Sequence, residues 1–456
     1  MSQALKIANV QGFWGDRNRA AAELLNQQAD IDVLTLDYLA EVSMSIMAIQ
    51  REKNPNHGYA RDFIDVIKSV IPFWQKGAKF KIICNAGGLN PLACAEACKK
   101  VLEAAQCSKK IGVVYGDDVL SIMQDSPPDT FKHLDTGEPL GTHQEKLVTA
   151  NAYLGAKPLV KALSDGADIV ITGRVADPSL VVAACVHHFN WDWTDHDLLA
   201  GATIAGHLIE CGTQVCGGFS THWLDVPEPA KMGFPIVEIN PDGSCVVTKA
   251  DGSGGVVNEQ TVKEQLLYEI ADPNNYLSPD VTMSFLKLKV EKEAENRMRV
   301  SGACGRQCSD FFKVSATYRN GFKSEGMLTI FGHDAILKGR RCGELILQRV
   351  RDAGFDLQSS HVECLGACDS VPGVFSEPVD LRELVLRVSV FDLRREAVEQ
   401  FTRELAPMVT SGPQGVTGYN SGRPKVRPVF TYWPCLLNKE HVTEKVSIVD
   451  VGMVKS

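Results

Sequence analysis

Five short apolar runs in the first half of the chain, Lys6 to Val10, Asp32 to Leu36, Phe80 to Cys84, Ile111 to Tyr115 and Ile169 to Thr172, are separated by longer stretches. Those stretches, Asn18 to Gln27, Tyr59 to Trp74, Pro91 to Gln106 and Gln144 to Leu163, repeat their apolar residues about every 3.6 positions. Such alternation is the pattern of parallel βαβ units, so an α/β lobe with a parallel sheet and helices on both faces is expected.

The turn after each run is polar. Gly12 to Arg17 follows the first, Asp37 to Glu41 the second, Asn85 to Asn90 the third, Gly116 to Asp118 the fourth and Gly173 to Asp177 the fifth. In an open parallel sheet these turns leave from one edge, where ligands bind. Backbone geometry accounts for the glycines and some caps, but not for arginines and carboxylates at adjacent strand ends. A small-molecule site is therefore expected there, with Gly15, Asp16, Arg17, Asn85, Gly87, Gly88, Arg174 and Asp177 binding the ligand.

The pattern changes near Gly201. Ala202 to Glu210 reads as a helix, followed by a Gly-dense loop from Cys211 to Trp223. Ile236 to Asn240 and Cys245 to Lys249 flank Pro241-Asp242-Gly243, which predicts an antiparallel hairpin. Thr261 with Glu264 reads as a capping box. Strand-like runs at Met283 to Val290, Phe311 to Thr317, Met327 to Phe331 and Leu384 to Phe391, with helices at Asp334 to Arg351 and Arg394 to Leu405, suggest a mixed or antiparallel α+β second lobe. The expected division is residues 1–225 and 226–456, with a glycine- and proline-rich stretch at Ser411 to Pro428.

A formal net charge of -9 with no basic run interleaved with aromatics speaks against a nucleic-acid partner. No apolar stretch reaches the roughly 18 to 20 residues of a membrane span, and Met1 to Val10 does not read as a signal peptide. The expected protein is cytoplasmic, off the membrane, and keeps its fourteen cysteines reduced. The C-x3-C pairs, such as Cys94/Cys98, read as packing neighbours on a helix, and no metal site is expected.

Several residues could carry chemistry. Asp117 and Asp118 could form an acid/base pair, against a reading in which one caps the next helix. His207 and Glu210 fall on one helix face, where the carboxylate could orient the imidazole for proton transfer. Gly252, Ser253 and Gly254 could wrap an anion with backbone amides, against a plain turn after the hairpin. Arg17 and Arg174 offer planar forks for carboxylate or phosphate, against structural pairing with Asp16 or Asp177. A Cys/His nucleophile from Cys211, Cys216 and His222 is a further reading.

Gly12-Phe13-Trp14-Gly15-Asp16-Arg17, Asp37 to Glu41, Gly58 to Phe63, Asn85 to Gly88, Thr172 to Asp177, Gln265 to Glu269, Tyr276 to Asp280 and Tyr432-Trp433-Pro434 together resemble the acyclic terpene utilisation (AtuA-like) family over nearly the whole chain. The resemblance implies a role in catabolism of branched isoprenoids run on coenzyme A thioesters, and brings no catalytic residues with it. It suggests an acyl-CoA or small-carboxylate lyase or hydratase, or alternatively a non-catalytic acyl-CoA-binding or assembly protein. The motifs require no cofactor, and coenzyme A would enter as part of the substrate. Expected partners are a small anionic substrate, further copies of the chain in a homo-oligomer, and a small ferredoxin-like subunit of the kind fused to some relatives.

Overall fold

A computed structural model of the chain describes residues 4–376, 378, 380–418 and 422–451. Residues 419–421 of the Ser411 to Pro428 stretch lie outside the described residues. Contacts divide the chain into one unit of Met1–Ala316 with Tyr432–Ser456 and another of Thr317–Thr431.

All five apolar runs are strands: β1 (Leu5–Asn9), β2 (Val33–Leu36), β3 (Lys81–Cys84), β4 (Lys110–Tyr115) and, after β5 (Leu147–Ala152), β6 (Ile169–Thr172). They pair in parallel in the order β1-β2-β3-β6-β4. Their side chains are buried on both faces because helices cover both. On one side α1 (Ala20–Gln27), α3 (Phe63–Gln75, after α2, Glu41–Lys53) and α4 (Pro91–Ala104) share a core with Leu34, Leu36, Ile82 and Ile171. After the short α5 (Leu120–Asp125), the helices α6 (Lys157–Ser164), α7 (Ser179–Phe189) and α8 (His196–Ile209) pack together; α6 lies against β4 and β6, α7 against β1 and β2.

The predicted hairpin forms as β7 (Pro235–Ile239) and β8 (Cys245–Lys249), turning at Gly243 with φ +79°. It does not start a separate sheet. β7 pairs antiparallel with β1 and extends the first sheet, so residues 225 and 226, the expected division, both fall inside the first unit. An unpaired edge of β1 would have left a row of amides and carbonyls open, and the hairpin fills it. Beyond α9 (Glu259–Leu267), β9 (Tyr276–Leu277) and β10 (Thr282–Ser284), the sheet gains β11 (Lys289–Ala294) and β12 (Arg297–Ser301). β13 (Cys304–Arg306) joins β9 and β10 in a small antiparallel sheet.

The runs at Phe311 to Thr317 and Met327 to Phe331 are one long strand, β14 (Phe311–Phe331). Its latter part pairs antiparallel with β16 (Glu383–Asp392), which also pairs with β15 (Ser359–Leu365). Helices α10 (Ala335–Asp352) and α11 (Arg395–Glu404) close this core through Ile346, Val350 and Phe401, giving the α+β arrangement expected. β17 (Arg427–Asn438) leads back, and β18 (Lys445–Asp450) adds antiparallel to β4.

Two local readings are corrected. Gln144 to Leu163 is not one helix: the β-prone Leu147–Ala152 is strand β5, and a new helix starts at Lys157, where Pro158 suits a first turn. The cap of α9 is Asn258, whose side chain accepts from Thr261 N at 3.0 Å while Thr261 Oγ1 accepts from Asn258 N at 3.1 Å. Thr261 is thus the last residue of the four-residue motif rather than its first. All fourteen cysteines are free, with Cys94 and Cys98 buried one turn apart on α4.

Candidate functional site

Each C-terminal strand end holds its turn by a specific device. At the end of β1, Asn9 donates through Nδ2 to the carbonyls of Ile209 (2.7 Å) and Glu210 (3.0 Å), which fixes the end of α8 beside the strand. Gly12 allows this approach, since a Cβ there would lie 2.7 Å from Gly212 N. At the end of β2, the Asp37 carboxylate accepts from Asn85 Nδ2 (2.6 Å) and Leu39 N (3.2 Å), while Asn85 Oδ1 accepts from Tyr38 N (2.7 Å). At the end of β6, Arg174 N donates to Asp117 Oδ2 at 2.8 Å, and a Cβ on Gly173 would sit 2.4 Å from Asp117 Oδ1. Only glycine fits there.

These turns enclose a cleft of about 410 Å3 lined by six carboxylates, Asp16, Asp37, Glu41, Asp177, Glu210 and Glu269, around one guanidinium, Arg174. Arg174 is buried; its Nη1 donates to Leu39 O, its Nη2 lies 3.3 Å from Asp177 Oδ1, and its plane lies 4.1 Å from the Tyr153 ring centre. Its Nε has no hydrogen-bond partner, and neither do Glu210 Oε2 or Gln214 Oε1, all buried and, but for Arg174 Nε, acceptors. A buried polar atom without a partner costs free energy that a bound ligand can recover.

Burial disfavours charge, and like charges add to it. Burial pushes Asp37 up to about 7, with Arg174 opposing and Glu210 adding to the rise. Asp177 is raised well above the usual carboxylate range by burial, against Arg174 and with repulsion from Asp37, Glu210 and Glu41. Burial alone would lower Arg174, yet Asp177, Tyr153 and Asp37 hold it firmly protonated. Carboxyls that can hold a proton near neutral pH therefore stand beside a permanent cation.

His207 is buried behind the cleft, its Nε2 2.9 Å from Gln265 O and its Nδ1 3.0 Å from Glu210 Oε1. A carbonyl oxygen only accepts, so Nε2 carries a hydrogen. Both ring nitrogens are thereby engaged, which fixes the imidazole behind Glu210, a residue of the cleft lining.

Of the expected site residues, Asp16, Arg174, Asp177 and Glu210 line this cleft, with His207 behind Glu210. Others have different places. Arg17 donates to Met232 O at 2.7 Å and lines a separate groove with Gly252 and Ser253. Asn85 is fully buried as the prop of Asp37. Gly87 and Gly88 serve packing: Cβ atoms would meet Pro91 and Met47. Gly15 turns the first loop with φ +104°. Asp117, pushed up to about 6 by burial, braces Arg174 from behind, and exposed Asp118 accepts from Leu120 N at the start of α5. The amides of Ser253, Gly254 and Gly255 already donate to Ala250, Lys231 and Pro227, so this loop is not an open anion cradle. Burial pushes Cys216 up to about 12 and also raises Cys211, while His222 is exposed, so the thiols are held protonated rather than as nucleophiles.

Asp37, Glu41, Glu269 and Tyr153 were not selected from the sequence. Asp37 carried a usable signal: a carboxylate directly after the last residue of a fully buried strand. Glu269 reaches the cleft and Tyr153 the Arg174 guanidinium from distant segments, and no local spacing marks them.

Among the described residues no group of three or more His, Cys, Asp or Glu is arranged to hold a metal, and no helix is long and apolar enough to cross a membrane. A mixed α/β sheet with an ionisable cleft at its parallel strand ends defines an α/β protein with a candidate ligand site there. The chain belongs to the acyclic terpene utilisation family: the family described as "Acyclic terpene utilisation family protein AtuA" matches residues 5–448. No curated protein and no solved structure matches it.

Proposed function

We propose that this protein is an acid–base enzyme of the lyase or hydratase type, acting on an acyl-CoA thioester or small carboxylate in branched isoprenoid catabolism. The observation that carries this reading is the buried Arg174, with an unpartnered Nε, beside Asp37, pushed up to about 7 by burial, and Asp177, raised well above the usual carboxylate range by burial. A thioester carbonyl on Arg174 would have its developing oxyanion stabilised by a cation already in place. Asp37 would deliver a proton to the α carbon as the oxygen of water bonds to the β carbon, and Glu210, backed by His207, would take the proton that water loses. The same groups run the reverse elimination. Six carboxylates leave room for a neutral thioester carbonyl or one carboxylate, and disfavour a polyanion in the cleft itself.

The alternative, a carrier that binds an acyl thioester and hands it on, is favoured by the apolar mouth, where Phe13 and Phe219 are 58% and 65% exposed. Incubation with branched 2-enoyl thioesters in heavy water separates the two. The enzyme reading expects deuterium at the α carbon of the hydrated product, whereas binding with no exchange supports the carrier and sinks the enzyme.

A further inference from the structure

Three cavities of the first unit adjoin through shared wall residues. The acidic cleft shares Glu41, Arg174, Asp177 and Glu269 with a second of about 430 Å3, walled by Tyr276, Phe311 and Phe312. The second shares Pro279 and Phe312 with a third of about 830 Å3. The chemistry changes along this path, from carboxylates through apolar rings to lysines.

In the third cavity, Lys157 is exposed with its Nζ 5.4 Å from the Trp193 ring centre. Lys439 Nζ is held by Pro279 O at 2.8 Å and lies 5.2 Å from the centre of Phe312. His196 stands on the same wall. Of the carboxyls there, Asp280 is buried and occupied by Ala156 N and Ser179 Oγ, and Glu444 is at the exposed rim. Two ammonium groups therefore line the cavity beside an indole, with the Asp280 and Glu444 carboxyls near both of them. Lysines bind phosphate as point charges, and indole rings stack on bases.

We propose that this third cavity seats the phosphorylated, aromatic handle of a carrier-borne acyl group, a nucleotide-type carrier such as coenzyme A, whose acyl end reaches Arg174 through the apolar middle cavity. The inference rests on the thioester reading of the cleft and deepens it. It also resolves a conflict of charge: phosphates disfavoured in a cleft so rich in carboxyl groups acquire a separate seat.

The test uses adenosine 3′,5′-bisphosphate, titrated calorimetrically into the full chain, and one branched enoyl group carried either by coenzyme A or by N-acetylcysteamine, which lacks the handle. The bisphosphate is expected to bind, more weakly as salt rises, and about tenfold or more weaker in Lys157→Glu and in Trp193→Ala. Lys157 opens α6, where a glutamate suits the helix dipole, so an unchanged melting temperature should accompany that loss. Asp37→Asn should bind the bisphosphate like the wild type. The coenzyme A thioester should show the lower KM, and Lys157→Glu should remove that advantage without changing turnover of the N-acetylcysteamine thioester. Equal bisphosphate affinity in wild type and Lys157→Glu, or equal KM for the two thioesters, overturns the handle seat and leaves the cleft chemistry standing. If neither thioester is turned over, the cleft chemistry fails, and the bisphosphate titration alone decides the seat.

Discussion

Asp37→Asn is expected to give a protein that is more stable than the wild type above pH 7 and deficient in proton transfer. Asparagine keeps the shape and can accept from Asn85 Nδ2 and Leu39 N as the carboxylate does. What it removes is a buried charge. In the folded chain Asp37 titrates at about 7 instead of 3.8, so below pH 4 its folded and unfolded states are both protonated and nothing is lost. As pH rises from there toward 7 the folded state progressively loses stability relative to the unfolded one, and above 7 the loss is complete. Between pH 5 and 8 about two pH units of this penalty accrue, so the advantage of Asp37→Asn should grow by about 3 kcal/mol over that range. Urea unfolding at the two pH values reads this directly. Activity should fall roughly 100- to 10,000-fold, the usual worth of a positioned acid or base. A variant that is no more stable at pH 8 than at pH 5, relative to the wild type, would show that Asp37 is not held out of its ordinary range.

Arg174→Ala has the opposite expected signature. The side chain is buried, bonded to Leu39 O and paired with Asp177, so its removal strands Asp177 and Asp37 without their cation. Removing one partner of a buried pair costs about 3 to 5 kcal/mol. The melting temperature should therefore drop, and more at pH 8 than at pH 5, because at low pH the stranded carboxyls can take up protons instead. Of the two readings open from the sequence, ligand fork and structural pairing with Asp177, the structure shows the pairing as well: Arg174 braces the cleft and also lines it. Arg174→Lys should recover part of the stability through its charge. It should recover little activity, since an ammonium lacks the planar fork. An alanine variant that melts like the wild type at both pH values would contradict the central place given to this guanidinium.

The parallel strands were legible because both-face burial leaves continuous apolar runs, as in Ile169 to Thr172, and the hairpin at Pro241 to Gly243 because its turn demands a glycine. The attachment of β7 to β1 was not, since the edge a strand joins depends on which edge is open, which no local pattern records. In the site, Arg174, Asp177 and Glu210 were readable from their positions at the ends of elements. Arg17 misled because a guanidinium two turns of chain from the strand end can reach sideways, here to Met232 O. Asp117 misled in a different way. Its carboxylate points back into the loop after β6, and only the empty space at Gly173 makes that possible.

The central claim is that a carboxyl in this cleft holds its proton near neutral pH beside Arg174. The direct measurement is a carbon-13 NMR titration of the aspartate side-chain carboxyls in wild type and Asp37→Asn. One aspartate signal with a midpoint near 7 is expected in the wild type and is expected to be absent from the variant. A wild-type spectrum in which the Asp37 signal completes its titration near the ordinary 3.8 would contradict it.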